Sequence, residues 1–312
     1  MTQTICGVDV SAATLDAHLR PGHSTDRFAN TEQGVADLAA WCRRHEVGLV
    51  VMEATGGYER LPFGLLWAEG LPAALVNPRS VRRFAEAMGL LEKTDRLDAA
   101  AIAWFAEARH IVAQPPASQT QQRLAALVTR LRQLGELRVA THNQRRLVTD
   151  PQVCDGISQL LALLQRQMRT LETSIAGLIQ ADPLWRALDA AFRSVKGVAD
   201  RTVARLMAEL PEIGTLSGKA IAKLAGLAPL ANDSGTRTGR RPVRGGRSGV
   251  RSILFVVAAV VRKYDPDFAD FHRRLTAAGK PPKVIRVALA HKLIVRLNAK
   301  ARTVRNELQA AA

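Results

Sequence analysis

One break in the sequence separates two parts with different apolar periodicities. Before QPPASQ, at residues 114–119, short apolar runs alternate with helical stretches. After it, apolar residues recur at the three- and four-residue steps of helices. The first pattern needs helices packed on a sheet, and the second needs helices packed on helices. We therefore expect an α/β domain over residues 1–113, followed by helical domains.

The first part is predicted to be a mixed sheet flanked by helices. The runs TICGVDVS, ATLDAHLR and DRFAN predict three successive strands, and GLVVMEA and AALVNP predict two more strands that alternate with helices. TICGVDVS and GLVVMEA carry an acid at or near their ends, and the breaker TGG follows the second.

Two stripes of apolar residues predict an antiparallel helical hairpin over residues 118–181. The first runs from Leu124 to Leu137 and the second from Ile157 to Leu178, and Asp-Pro and Asp-Gly pairs bracket the turn between them. Such stripes either close within the hairpin or pair with another subunit. The third part, residues 183–312, is predicted to be mostly helical. Its apolar run SILFVVAAVV, at 252–261, is about half the length that spans a bilayer and is interpreted as a buried helix, so no membrane contact is expected.

Charge divides the chain as sharply as periodicity does. Of a net +16, residues 1–112 contribute −3 (11 basic, 14 acidic) and residues 113–312 contribute +19 (33 basic, 14 acidic). An excess of this size favours a nucleic-acid partner over mere solubility. Apolar residues make up 47 %, which excludes a disordered chain.

The cysteines and the N-terminus indicate the compartment. Cys6, Cys42 and Cys154 lie far apart, which excludes a zinc knuckle and a disulfide framework. The sequence MTQTICGVDV has neither the basic region nor the long apolar region of a signal peptide. A reduced cytoplasmic protein, associated with the nucleoid, is therefore expected.

The most basic segment is NDSGTRTGRRPVRGGRSGVR, residues 232–251, with six arginines, five glycines and one acid. No core can be built from it, so we expect a loop that is ordered by a partner or a neighbouring domain. A second candidate contact is the VKGV turn, which resembles a helix–hairpin–helix that could hold a phosphate, although an ordinary helix corner remains an equal alternative. The residues expected to contact nucleic acid are Arg237, Arg240, Arg241, Arg244, Arg247, Arg251 and Lys196.

Four carboxylates form the first chemical constellation. Asp9 and Glu53 end apolar strands, and Asp95 and Asp98 share one face of a predicted helix. Acids that converge in this way repel one another, and Mg²⁺ relieves the repulsion because it prefers carboxylate oxygens. Two such ions can clamp the attacking and leaving oxygens of a phosphodiester. The alternatives are that Asp95 only caps its helix and that Asp98 lies on the surface.

Ser234 forms the second constellation. A serine before a glycine is usually turn chemistry, the segment is not a GxSxG elbow, and no histidine stands nearby in sequence. Its setting beside six arginines nevertheless suits attack on a phosphate whose charge they neutralise. Ser248 is a rival in the same segment.

The segments GVDVSAATLDA, VMEATGGYE and KTDRLDAAAIA, followed by LAGLAPLANDSGTRTG, resemble the IS110-family transposases, including the IS1111 branch, over nearly the whole chain. The resemblance implies a RuvC-like, RNase H-fold domain with a DEDD tetrad, then a coiled-coil segment and a C-terminal transposase domain. The tetrad would be Asp9, Glu53, Asp95 and Asp98. The DNA nucleophile would be Ser234, because the family serine precedes the first glycine of the SG…G…GG run. A structured non-coding bridge RNA would pair with target and donor DNA.

The sequence thus predicts a homo-oligomeric, RNA-guided transposase that exchanges DNA strands through a serine–DNA link with Mg²⁺. No P-loop occurs, in agreement with chemistry that conserves phosphodiester energy. Two alternatives stay open. One is a RuvC-like nuclease that hydrolyses DNA with activated water, and the other is a non-catalytic RNA- or DNA-binding protein with a degenerate nuclease fold.

Overall fold

The computed structural model describes residues 3–90, 95–231, 234, 239 and 241–311, without the side chains of residues 95–97. The chain divides into two compact units, Met1–Ala117 and Ser118–Ala312. The first boundary lies within the predicted linker. A further division of the second unit into a hairpin and a C-terminal domain stays a prediction.

The first unit contains the predicted mixed sheet. Its strands are β1 (Thr4–Val10), β2 (Thr14–Arg20), β3 (Thr25–Ala29), β4 (Val47–Glu53) and β5 (Ala73–Val76). They are ordered β3-β2-β1-β4-β5. The first three strands pair antiparallel, whereas β4 is parallel to β1 and β5 is parallel to β4. The expected α/β class is therefore confirmed.

Helices cover both faces of this sheet. They are α1 (Glu32–Arg44), α2 (Arg60–Ala68), α3 (Pro78–Ala87) and α4 (Asp95–Ala108). One core packs Val8 and Val50 against α1 and α2, and the other packs Ile5 and Val51 against α3 and α4. Burial on both faces explains why β1 and β4 are nearly continuous apolar runs. Thr31 caps α1 by accepting the Gly34 backbone N–H.

The second unit is helical around one core. Its helices are α5 (Gln119–Arg145), α6 (Pro151–Ala181), α7 (Pro183–Arg193), α8 (Asp200–Glu209), α9 (Gly218–Leu224), α10 (Ser248–Tyr264), α11 (Pro266–Ala277) and α12 (Pro282–Ala310). Helices α5 and α6 form the predicted hairpin. The two apolar stripes are buried within the chain in the part of the hairpin away from the α5–α6 turn, where Leu131 and Leu164 lie. Leu137 and Leu160 are exposed, because α5 and α6 alone do not cover the end near the turn.

Two expectations for the later sequence need correction. The run at 252–261 lies in α10, but only one face is buried: Val257 and Val261 are inside, whereas Val256 is 54 % exposed. The basic segment is not a loop to its end, because α10 already begins at Ser248. No helix in the described part of the chain is long and apolar enough to cross a membrane.

Candidate active site

Asp9 and Glu53 stand at the carboxyl ends of neighbouring parallel strands. The register of β1 and β4 pairs Val8 with Met52, and Asp9 and Glu53 follow one residue later. Side chains alternate along a strand, and the odd-numbered residues before both acids pack against α3 and α4. Both carboxylates therefore belong to the face that α4 covers, on strands about 5 Å apart.

Gly7 brings helix α4 onto this face. A Cβ built on Gly7 would lie 2.3 Å from the Ala99 carbonyl oxygen and 2.5 Å from the Ala103 nitrogen, so only glycine allows this approach. Asp98 immediately precedes Ala99 and is half-buried, like Asp9 and Glu53. The contact thus places the acidic first turn of α4 beside the ends of β1 and β4.

We expect Gly7→Ala to weaken both stability and metal-dependent activity. The new methyl group meets backbone atoms that cannot rotate away, so α4 must shift, at a cost of about 1–3 kcal/mol. The melting temperature should fall by several degrees, and cleavage should fall further because the shift moves Asp98. The matched control is Gly64→Ala in α2, where a Cβ meets nothing within 4 Å. Equal melting temperatures for the two variants in thermal unfolding would refute the close approach.

The loops beyond the two strands are fixed by residues that the sequence analysis did not single out. Glu59 is buried, and its Oε2 accepts the backbone N–H groups of Thr55 (3.0 Å) and Gly57 (2.8 Å) in the turn after β4. The side-chain Nδ2 of Asn30 donates to the backbone carbonyls of Ser11 (2.8 Å) and Tyr58, and so links the loop after β1 to the loop after β4. Glu59 is the last residue of the EATGGYE motif, and this motif is the sequence signal that could have identified it.

These acids suit a hard divalent cation. Carboxylate oxygens are the ligands that Mg²⁺ prefers, and two of the strands and one helix present them on one face. Among the described side chains, no group of three acids, histidines or cysteines is close enough to hold a metal. Helix α4 begins at Asp95, whose side chain falls outside the described residues. The donor set therefore fits a divalent cation in type, and Asp95 is the remaining candidate ligand.

Ser234 lies in the second unit, on the segment 229–243, whose two ends are paired with each other. Pro229 bridges Val243, and the Leu230 N–H donates to the Pro242 carbonyl at 3.1 Å. Ser234 itself is exposed. The flanking residues 232–233, 235–238 and 240 fall outside the described residues.

The glycine pair after this segment anchors it. Gly245 and Gly246 have φ of 72° and 62°, in the left-handed region, and a Cβ on Gly246 would lie 2.4 Å from the Gly226 nitrogen. The Arg247 N–H also donates to the Leu224 carbonyl at 2.8 Å. The close approach of Gly246 and this hydrogen bond hold the returning end of the segment against the end of α9.

The arginines of the segment divide into two groups. Arg247 makes two 2.5 Å contacts with the Glu212 carboxylate. Burial works to raise the pKa of Glu212, but the hydrogen bonds and charge of Arg247 outweigh it and the pKa is lowered. Arg251 donates to the Gly245 carbonyl at 2.7 Å. These two arginines thus make hydrogen bonds that stabilise the fold. The side chains of Arg241 and Arg244 are exposed to solvent. Arg237 and Arg240 lie outside the described residues.

The predicted glycine turn joins α7 to α8. Lys196 is exposed, and Gly197 has φ of 100° with its Cα against α10, where a Cβ would lie 3.0 Å from the Val261 Cα. Val195 and Val198 are buried on either side. The turn thus joins two helices, which agrees both with a helix–hairpin–helix and with an ordinary helix corner, and phosphate binding by it stays a prediction.

Comparisons with known proteins give two family matches along the chain. A family model described as a transposase, the DEDD transposase of IS110, matches residues 6–150. A second, described as the transposase IS116/IS110/IS902 family, matches residues 189–273. The chain is similar to the pilin gene-inverting proteins of Moraxella lacunata and Moraxella bovis, with 26 % identity to each and 94 % of both chains covered.

A mixed sheet with acids at its central strand ends, joined to a basic helical unit and matched by two transposase models, defines a DNA transposase or recombinase. The chain belongs to the IS110 family of transposases. The resemblance found in the sequence is thereby confirmed.

Proposed function

We propose that this enzyme cuts and rejoins DNA through a covalent serine–DNA intermediate, formed by Ser234 with the help of a RuvC-like, RNase H-fold acid site. The observation that supports the acid site best is the close approach of α4 to β1 at Gly7, because Asp98 lies one residue before Ala99 at that contact. The experiment that tests the proposal is a denaturing gel of protein incubated with DNA and Mg²⁺, on which the intermediate runs as a protein–DNA adduct.

The acids would hold Mg²⁺, with Asp9, Glu53, Asp95 and Asp98 as ligands. When bound, the metal would polarise the scissile phosphate and stabilise the charge that develops in the transition state. Asp9 and Glu53 stand on strands and not on loops. Their carboxylates would therefore keep their positions when the metal binds.

Ser234 would supply the nucleophile. Its Oγ forms a bond to phosphorus while the bond from phosphorus to the 3′ oxygen breaks, and the serine proton goes to the departing 3′-hydroxyl. In the second step a 3′-hydroxyl of the other DNA attacks the same phosphorus, and the serine oxygen leaves and regains a proton. Each step exchanges one phosphodiester for another, so no ATP is needed. The segment must reach the acids within one chain or between chains.

The nearest alternative is a hydrolytic RuvC-like nuclease, which needs the acids but not Ser234. The relatives' name favours rejoining, because inversion of a gene requires cut ends to be resealed in a new order. Strand cleavage that persists in Ser234→Ala with no rejoined product would support the nuclease instead. A non-catalytic binding protein would tolerate loss of the acids.

The partners proposed are donor DNA, target DNA and a structured bridge RNA, at the nucleoid in the cytoplasm. The support is the +19 charge of residues 113–312 and the exposure of Arg241 and Arg244 on the Ser234 segment. As in other guided systems, base pairing would select the sequence and the protein would contact the backbone.

Replacing Arg240, Arg241 and Arg244 together with glutamine should weaken RNA binding and flatten its salt dependence. Each lost phosphate contact removes roughly 0.7–0.9 from the slope of log affinity against log salt, so the slope should fall by about two. Fluorescence anisotropy at four salt concentrations measures it.

The control for this triple variant removes three exposed arginines from the first unit: Arg44, Arg79 and Arg83. The net charge change is the same, so an equal flattening in both variants would show that only total charge matters. An unchanged slope in the first variant would mean that this segment touches no phosphate.

We propose that the uncovered end of the hairpin joins subunits into a dimer or tetramer. Val139, Leu147, Val153, Leu160 and Leu163 are all between 41 % and 88 % exposed around the α5–α6 turn. Apolar exposure of this density on two adjacent helices is typical of an interaction site.

The double variant Leu160→Asp/Leu163→Asp should therefore halve the mass, or reduce it further, in light scattering. The two carboxylates would be buried without partners in the interface. Leu131 and Leu164 are unsuitable for this test because they are buried within the chain. Gln167→Asp, also exposed on α6, is the control. A double variant that keeps the wild-type mass would place the subunit contact elsewhere.

A further inference from the structure

A groove of about 660 Å³ lies in the second unit at the base of the Ser234 segment. Its apolar lining comes from the segment's two ends and from α11 and α12: Leu227, Pro229, Val243, Phe271, Val284 and Val287. In the described part of the chain, every charged residue that lines it is a cation: Arg241, Arg274, Lys283 and Lys292. The acid chemistry and the hairpin use none of these residues.

Two of the cations are held in place beside the groove. The Lys292 ammonium lies 4.9 Å from the centre of the Phe271 ring, and the Arg274 guanidinium lies 5.2 Å from it. Lys292 also donates to the Asp267 carbonyl at 3.0 Å. Cations fixed over an aromatic ring lose less freedom when they bind an anion. The groove thus combines an apolar interior with a preorganised positive rim.

An unpaired nucleotide matches this combination. In a duplex the base faces are stacked and only phosphates and groove edges are presented, so an apolar concavity stays empty. An unpaired base offers a flat apolar face for the interior, and its flanking phosphates meet the rim cations.

The location favours DNA as the source of that nucleotide. Pro229 and Val243 line the groove and also close the segment that carries Ser234. Ser234 is five residues beyond Pro229, so its Cα lies within roughly 18 Å of that wall even if the chain is fully extended. A strand attacked at Ser234 therefore passes within a few nucleotides of the groove.

We propose that this groove holds an unpaired base of the DNA strand, a few nucleotides from the phosphate that Ser234 attacks; the proposal rests on the proposed role of Ser234. His291 on the lining suits a base edge, because burial lowers the pKa of His291 and leaves it neutral at pH 7. A neutral imidazole presents one donor and one acceptor nitrogen.

The test measures binding of fluorescein-labelled dT12 and of a 12-base-pair duplex to the full chain by anisotropy. Val284→Asp should weaken dT12 binding about tenfold, in the range for loss of one inserted base, and change duplex binding less than threefold. The matched control is Val256→Asp, because Val256 on α10 is 54 % exposed, against 52 % for Val284, and does not line the groove. Both variants change the net charge equally.

A second variant, Ala288→Trp, fills the groove without adding charge and should reproduce the selective loss for dT12. Equal losses in Val284→Asp and Val256→Asp, or no loss in either, would overturn the proposal. Tighter binding of rU12 than of dT12, with the same loss in Val284→Asp, would overturn it too and would assign the groove to RNA. Displacement of dT12 by a twelve-residue glutamate peptide, but not by unlabelled dT12, would assign the groove to an acidic protein.

The outcome is separable from that of the proposed function. Ser234→Ala should bind dT12 like the wild type, because Ser234 does not line the groove. Selective dT12 binding without a serine adduct would retain the groove and refute the nucleophile. An adduct with unaltered dT12 binding in Val284→Asp would retain the nucleophile and refute the groove.

Discussion

Asp9→Asn is expected to lower Mg²⁺-dependent DNA cleavage by at least about a thousandfold, while nucleic-acid affinity stays within about twofold of the wild type. Loss of one carboxylate ligand removes several kcal/mol of transition-state stabilisation, and about 1.4 kcal/mol corresponds to each factor of ten. Affinity should be spared because the proposed nucleic-acid contacts come from the basic residues 113–312. Cleavage of labelled DNA and anisotropy in the same buffer measure the two effects.

The control for this variant is Asp16→Asn. Asp16 lies directly opposite Asp9 on β2, but its carboxylate is already paired with Arg27 at 2.8 Å. Its loss should cost far less activity. A second readout is the rise in melting temperature caused by Mg²⁺, which Asp9→Asn should abolish and Asp16→Asn should retain. Equal effects of the two substitutions would mean that any acid on this face serves, and normal cleavage by Asp9→Asn would refute the metal site.

Ser234→Ala is expected to reduce strand exchange by at least about a thousandfold without changing the melting temperature. Alanine cannot form the bond to phosphorus, so the covalent intermediate that conserves the phosphodiester energy would not form. Stability is spared because Ser234 is exposed. Ser248→Ala is the control, because Ser248 is also exposed but begins α10. Recombined product quantified by sequencing across the new junction measures the exchange.

A mixture of Ser234→Ala and Asp9→Asn subunits tests whether Ser234 and the acids of one active site come from the same chain. If the serine of one subunit works with the acids of another, mixed oligomers recover part of the activity that each variant lacks. If each chain supplies its own complete site, the mixture stays inactive.

The sequence was sufficient to predict the sheet and its acids. Strand ends can be recognised locally, because polar residues stand out at or near the end of a buried apolar run: Glu53 is the last residue of β4 and Asp9 is the last but one of β1. It did not identify Gly7 or Glu59 as supports of the site. The importance of Gly7 depends on how closely α4 approaches, and that of Glu59 depends on which backbone N–H groups the turn leaves unpaired. The first depends on tertiary structure, and the second depends on the local conformation of the turn after β4.

The basic segment, residues 232–251, also shows what the sequence alone could not predict. Its composition predicted contacts with nucleic acid for all six arginines, but Arg247 pairs with Glu212, which lies 35 residues away. Composition cannot distinguish a cation that faces a phosphate from one that neutralises a distant carboxylate. The leucine stripes were recognised by their spacing, whereas the exposure of Leu137 and Leu160 depends on where neighbouring helices end.

The most direct test of the central claim is to trap the covalent intermediate and locate its attachment site. Wild-type protein incubated with Mg²⁺, guide RNA and both DNAs is denatured, treated with nuclease and digested, and the peptides are analysed by mass spectrometry. The proposal predicts a nucleotide remnant on Ser234, present in Ser248→Ala and absent from both Ser234→Ala and Asp9→Asn. A remnant on another residue, or an adduct that survives Ser234→Ala, would contradict it.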